Sequence, residues 1–499
     1  MNRIETNNTF EFKSGYLCLD CCVATVSAAS KKANEVVKNF FLLLLLFLSI
    51  SSLSAQEDSG KDAFFIKSIY SEALANGESH EWLRTLCKDI GPRLAGSPGA
   101  AAAVTTMKMI MDTLGFDTVY LQPCMVPRWQ RGPEATARIV NSSQIGTQEL
   151  SVTTLDNTIG TGMAGITAPV VEVKSFDELE KLGEANVRGK IVFFNRPMDP
   201  TQLNTFAAYG GAVEQRAYGA VYASELGGVG VIVRSMTPNH DDVPHTGSSV
   251  YRDDTPPIPA ISITTNEADM LSRLLKAEEL VIHFTSHGKV LPMIQSYNVI
   301  GEKRGTTHPD EIILVGGHLD SWDIGEGAHD DGTGCVQSMQ VLPLLEALNY
   351  QNKRTLRCVL FMNEENGLGG AKAYWAASNA AEEFHLLAIE SDRGAFTPRG
   401  FSAQGDESVF TDHYRKLNTW LPLVEPYGLS FSTGGSGADI GGLESQKGLL
   451  LGLQPDTQRY FDYHHTAADV FEAVNKRELE LGAAAMTTIV YLIDLHGLK

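Results

Sequence analysis

Two histidines and a series of carboxylates follow one another through the second half of the chain in the order His318, Asp330-Asp331, Glu364-Glu365, Asp392, His465. Imidazole nitrogen and carboxylate oxygen, with no thiolate among them, form a donor set that suits Zn²⁺ ahead of Co²⁺ or Mn²⁺. The set exceeds what one tetrahedral zinc needs once a position is left open for water. It fits two ions roughly 3.5–4 Å apart that share one carboxylate. Adjacent side chains such as Glu364 and Glu365 point in different directions, so one can ligate while the other takes a proton from an attacking water. Taken alone, a Glu pair is usually a solvated turn and a His pair a surface feature. The joint order is what points to a metal centre.

Each of these groups stands just past an apolar run, so strands must position them. The stretch Glu311–Gly334, EIILVGGHLDSWDIGEGAHDDGTG, begins as a buried parallel strand and continues into Gly316-Gly317, His318, Asp320 and Asp323. Gly334–Leu348 reads as a helix that Pro343 limits or kinks. Further strands are expected at Thr355–Phe361, before Glu364-Glu365, at Leu386–Ile389, before Glu390-Ser391-Asp392, and at Gly448–Leu453, upstream of Tyr463-His464-His465-Thr466 and Asp469. One sheet with these strands in parallel would bring every donor to a single edge. The fold class is therefore α/β: a mixed, largely parallel sheet flanked by helices. Ala100–Leu114 reads as a helix and Phe116–Leu121 as a strand of the same material. Between about 163 and 290 the texture changes to short β-like runs (APVVEV, GKIVFFN, GVGVIVRS, PAISIT), which mark a β-rich insert. His240 and His245 fall there beside Asp241-Asp242 and read as a solvated loop. The expected division is 1–55 leader, 56–162 first part of the catalytic domain, 163–290 insert, and 291–499 main catalytic part.

The totals narrow the functions. A formal charge of −20 over 499 residues argues against nucleic acid as a partner. Phe40–Ile50, FFLLLLLFLSI, follows Lys31, Lys32 and Lys38 and precedes small residues, the layout of a secretory signal peptide and short for a membrane span. The expectation is export, secreted or periplasmic, without stable membrane insertion. Cys18, Cys21 and Cys22 precede that run; Cys87 and Cys124 are the pair that export could bridge, while Cys335 and Cys358 read as small buried hydrophobes.

The segments Gly317-His318-Leu319-Asp320-Ser321, Ala328-His329-Asp330-Asp331-Gly332, Glu364-Glu365, Glu390-Ser391-Asp392 and His465-Thr466 with Asp469 together resemble the signature of the co-catalytic di-zinc exopeptidases. GGHLDSWD and the ESD and HH steps are most similar to the carboxypeptidase Q branch of that family. The insert resembles the protease-associated domain of such proteins. The resemblance implies two Zn²⁺ per chain, with His318 and Asp392 on one, Glu365 and His465 on the other, and Asp330 bridging. It implies Glu364 as general base, Asp320 as the carboxylate that orients His318, and a cis peptide between Asp330 and Asp331. His464 stands where many relatives place tyrosine, so His464 or Tyr463, with Tyr460 behind them, are the candidates for contact with the substrate oxyanion. His329 is expected to point away. The implied partners are dipeptides or short peptides, and a homodimer is an open option. The competing readings are a broader-specificity aminopeptidase, a one-zinc glutaminyl cyclase, and a receptor-like binding protein that keeps the fold alone. The last would be expected to carry substitutions at Asp330, Glu364 or His465, and none is seen.

Overall fold

A computed structural model describes Lys38 and residues 60–499. The apolar run Phe40–Ile50 and the cysteines before it lie outside the described residues.

The metal-ligand candidates sit on an eight-stranded sheet with strands in the order Thr118–Gln130, Lys289–Lys303, Arg354–Phe361, His308–His318, Phe384–Glu390, Leu449–Pro455, Pro398–Gln404, Ser430–Thr433. The four strands from Arg354–Phe361 to Leu449–Pro455 in that order run parallel. Antiparallel pairing begins at Lys289–Lys303 on one side and at Pro398–Gln404 on the other. Every residue of Arg354–Phe361 is buried, as a strand covered on both faces requires. Parallel register then does the positioning: His318 lies level with Phe361, Gly316 with Glu390, and Glu390 with Gly452. The four chain segments that follow these strand ends therefore leave the sheet at one edge.

Helices cover both faces. Thr333–Ala347 follows the Asp330-Asp331 turn and runs on through Pro343, so the proline does not end the helix. The helix is buried along most of its length, and its packing offsets the one backbone hydrogen bond that proline removes. It packs against Lys476–His496, whose first backbone N–H groups are capped by the Asn475 side chain. Lys476–His496 is also, among the described residues, the helix long and apolar enough to cross a membrane, and it is spent on this core.

A second eight-stranded sheet occupies the middle of the chain, in the order Gly146–Leu150, Thr136–Ser142, Val281–Thr285, Ile166–Val173, Ile191–Phe194, Gly230–Arg234, Ala260–Ile263, Val152–Thr154. Its strands thus start at Thr136, before the composition shift at 163. Helices Phe176–Val187, Glu214–Glu225 and Thr265–Leu275 accompany it, so this layer is α/β too. Its strands Ile191–Phe194, Gly230–Arg234 and Ala260–Ile263 are fully buried, and their apolar side chains form cores on either side of the sheet.

Cys87, Cys124, Cys335 and Cys358 are all free and buried. Cys87 lies in the helical turn Thr85–Ile90 and Cys124 on the edge strand Thr118–Gln130, so the bridge considered from sequence is not formed.

One buried charge in this core gives a pH-dependent expectation. Glu480, 1% exposed, accepts a hydrogen bond from the His80 N–H at 3.3 Å through Oε1, and its Oε2 has no partner. Burial pushes its pKa up from 4.5 to about 7. A carboxyl whose folded pKa exceeds its unfolded value holds more protons when folded, so its contribution is full below pH 4.5 and is lost as pH rises through 7. Glu480→Gln is expected to be more stable than the parent by roughly 1–3 kcal/mol at pH 8, with the difference vanishing near pH 4. Urea titrations at the two pH values measure this, and a pH-independent difference would remove ionisation as the cause.

Candidate metal centre

His318 is the last residue of its strand, and two features of the sequence let the Asp330-Asp331 turn close onto it. A Cβ at Gly317 would stand 2.4 Å from Asp331 Oδ2, and one at Gly334 would stand 1.8 Å from Ser391 O. Only glycine allows that approach at both places. Asp331 then accepts hydrogen bonds from the His318 N–H and the Gly334 N–H, each at 3.0 Å, which ties the turn to the strand end. The Asp330–Asp331 peptide is cis. Behind the turn, Asp469 accepts from the backbone N–H groups of His329 at 2.7 Å and Asp330 at 3.1 Å. Arg93, from the turn-rich segment after Ile90, donates to the carbonyls of Leu319, Glu326 and Gly327 and holds the intervening loop.

With that scaffold in place, Asp330 faces histidines on two sides. Its Oδ1 lies 3.2 Å from His318 Nε2, and its Oδ2 lies 3.4 Å from His465 Nε2. Asp392 Oδ1 completes the first side at 3.5 Å from His318 Nε2, and Glu365 Oε2 the second at 3.3 Å from His465 Nε2. Donor atoms of His318, Asp330 and Asp392 all lie within 4.8 Å of one another, as do those of Asp330, His464 and His465. The sequence-predicted donors are therefore brought together. His464 joins them at 3.9 Å from Asp330 Oδ2, with its ring stacked on that of His465 at 3.5 Å between centroids.

Both histidines turn the outward nitrogen to a carbonyl, so the inward one is the nitrogen that a metal would take. His318 Nδ1–H donates to the Asp320 carbonyl at 2.9 Å, and His465 Nδ1 lies 3.3 Å from the Thr246 carbonyl. The carboxylate of Asp320 does not orient His318 as expected, since it stands 3.8 Å from Nδ1. It accepts instead from the Asn363 N–H at 2.6 Å and the Glu364 N–H at 3.1 Å. The resemblance implied the right residue. The backbone carbonyl reaches the ring first, and the freed carboxylate fixes the loop that carries Glu364.

Electrostatics show what the cluster lacks. Burial raises the pKa of Asp330, and that of Glu365 well above its usual range, with Asp330 adding its charge to Glu365. Burial, and the charges of Asp392 and Asp330 against the opposing pull of His318, push Glu364 up to about 8. For His318, burial works downward, but hydrogen bonding to Asp330 and Asp392 outweighs it and the net pKa is raised. Burial holds His464 and His465 well below the ordinary value, hence neutral. Asp330 Oδ2 and Glu365 Oε1 are buried without hydrogen-bond partners. Crowded anions, orphaned oxygens and neutral imidazoles are what divalent cations relieve, so the residues fit zinc.

The remaining candidates divide. Tyr463 turns away: its hydroxyl accepts a hydrogen bond from Arg459 and its ring packs on His329. His329 points outward, accepting from the Ala395 N–H through Nδ1 while Nε2 faces the Ala473 carbonyl. Tyr460 is buried against His464.

The second sheet supplies side chains to the centre that sequence reading did not place there. His245 is buried, 1% exposed, and is not part of a solvated loop. The loop after it clamps two donors: the Thr246 N–H donates to the His465 carbonyl at 2.9 Å, and Ser248 Oγ donates to the Glu365 carbonyl at 2.7 Å. Arg216 lies with Nη1 at 3.3 Å from His465 Nδ1 and donates through Nη2 to Tyr209. No spacing in the sequence links 216 or 246 to 465. The one available signal was two histidines in an insert otherwise free of them between 163 and 282.

A model of Peptidase family M28 matches residues 298–490. Carboxypeptidase Q of Mus musculus is 32% identical over 476 residues, which cover 91% of this chain and 97% of that protein. Among solved structures, a peptidase M28 precursor from Shewanella amazonensis superposes with a TM-score of 0.81 at 32% identity, over 87% of this chain and 97% of that one. A zinc aminopeptidase from Bacillus subtilis shares the fold at a TM-score of 0.58 and 20% identity, over 83% of this chain and 94% of that one.

Proposed function

The chain belongs to peptidase family M28, and on that premise we propose that it is a two-zinc exopeptidase acting on dipeptides and other short peptides. The observation that carries this reading is the carboxylate of Asp330, with one oxygen turned to His318 and the other to His465. In this assignment His318 and Asp392 would hold one zinc, Glu365 and His465 the other, and Asp330 would bridge them. When bound, the two ions supply Lewis acidity to the scissile carbonyl and lower the pKa of the attacking water.

The chain's own residues do the rest. Glu364, the partly exposed member of the Glu pair, is the group free of the donor set and takes the proton from the attacking water. It then returns that proton to the departing amine. Asp320 keeps Glu364 in place through the two backbone N–H groups it accepts. His464 is neutral and adjoins the donor set, with its Nδ1 lacking a partner, and it is the group we assign to the developing oxyanion. Tyr463 takes no part. Export of the protein is part of the same proposal and rests on the apolar run Phe40–Ile50.

A cleavage panel tests the reading. Free dipeptides, N-acetylated dipeptides and C-amidated dipeptides are offered to the purified protein before and after chelation, with zinc added back. Hydrolysis of the free dipeptides is expected to stop on chelation and to return with zinc at two ions per chain. Undiminished turnover by a chain shown to be metal-free would sink it.

A further inference from the structure

We infer that Arg393 reads the free C-terminal carboxylate of the substrate. This rests on the exopeptidase reading above and deepens it, by naming the terminus that the site recognises.

A cavity of 150 Å³ adjoins Asp392 and is lined also by Phe206, Glu390, Arg393, Ser436 and Gly437. At about 30 Å³ per water molecule, that is room for about one residue. Arg393 is the cation in its wall. The guanidinium lies 4.2 Å from the Phe206 ring centroid, a stacking contact that holds its plane and leaves its edge donors outward. Nη1 donates to Gln454 Oε1 at 3.0 Å. Among the described residues no carboxylate stands within 4.0 Å of this guanidinium, whereas Arg131, Arg354 and Arg357 each have such a partner. Two carboxylates share the cavity and both face other partners: Asp392 Oδ1 lies 3.5 Å from His318 Nε2, and Glu390 accepts from the Ala438 and Ile440 N–H groups, each at 3.0 Å.

A partly buried guanidinium with no carboxylate in direct contact keeps N–H donors to offer, and a planar fork of such donors matches a carboxylate in two parallel hydrogen bonds. The geometry of the substrate agrees. The last peptide carbonyl and the terminal carboxylate are separated by one residue, roughly 3.5 Å of extended chain. Asp392 and Arg393 are adjacent in sequence and line the same cavity. A scissile carbonyl at the metal side and a carboxylate at Arg393 therefore fall within one cavity. Phe206 comes from the Thr205–Gly210 helix of the second sheet, so that layer helps to shape the specificity pocket.

The test compares leucyl-leucine with leucyl-leucinamide in the zinc-loaded parent, Arg393→Met and Arg393→Lys, with zinc content and melting temperature measured for each. The parent is expected to favour the free carboxylate by about 10- to 100-fold in kcat/KM. Arg393→Met should lose that preference through KM while its rate on the amide stays near the parent's. Arg393→Lys should recover part of it, keeping the charge and losing the fork. Calorimetric titration with N-acetylleucine and N-acetylleucinamide reads the same preference without turnover. A parent that binds the acid through Arg393 but cleaves no peptide would overturn the exopeptidase reading and leave this inference standing. No preference in the parent, or an undiminished preference in a folded, zinc-loaded Arg393→Met, would overturn the inference.

Discussion

Glu364→Gln is expected to lower kcat by about 10²- to 10⁴-fold while KM and zinc content stay close to the parent's. The substitution keeps the size and shape of the side chain and removes only its ability to take and return a proton. Glu364 is singled out by where it lies. Its neighbour Glu365 is buried with Oε2 directed at His465, and Glu364 itself remains partly exposed next to Asp392. The metal-free protein offers a second readout. Burial and the charges around Glu364 raise its pKa to about 8, so ionising it there is costly and the cost grows as pH rises towards that value. Glutamine has no such cost, so metal-free Glu364→Gln should be at least as resistant to unfolding as the metal-free parent near pH 8. The combination of lost turnover, retained zinc and retained stability is diagnostic of a base. Parental kcat at full zinc loading would remove Glu364 from that role.

Asp330→Ala is expected to lower kcat/KM by more than about 10³-fold, about 4 kcal/mol of transition-state stabilisation, and to leave the chain with less than its full zinc complement. The reason is the position of the carboxylate, whose two oxygens face His318 and His465. Its loss withdraws a donor from both ion positions at once. The same carboxylate strains the metal-free chain, since burial raises its pKa among Asp392 and Asp320. Asp330→Ala should therefore unfold at a higher temperature than the parent without zinc and at a lower one with it. Calorimetric scans and metal analysis of the same samples measure both. Two zinc ions per chain in the variant would end the bridging assignment.

Much of the site was legible because strand ends are local. An apolar run followed by His or by paired carboxylates can be read in a window of a dozen residues, and parallel strands that pair in register carry their ends to one edge. The parallel pairing of His308–His318 with its two neighbours follows that logic, as does the convergence of His318, Asp392, Glu365 and His465. That Pro343 does not end its helix was not legible, for the opposite reason. Its effect depends on how tightly the rest of the helix is packed, and Thr333–Ala347 is buried on nearly every side.

By itself, then, the sequence determined the donor types, their order and the strands that present them, since residue chemistry and continuous apolar runs are properties of short segments. Tertiary structure decided which atom does what. Asp320 gives His318 its carbonyl and Glu364 its carboxylate; Tyr463 faces Arg459 while His464 beside it faces Asp330. It also decided that Arg216, Thr246 and Ser248 from the second sheet brace His465 and Glu365. Those contacts join residues more than a hundred positions apart. No periodicity or local spacing encodes them; they exist because two sheets pack where their loops meet.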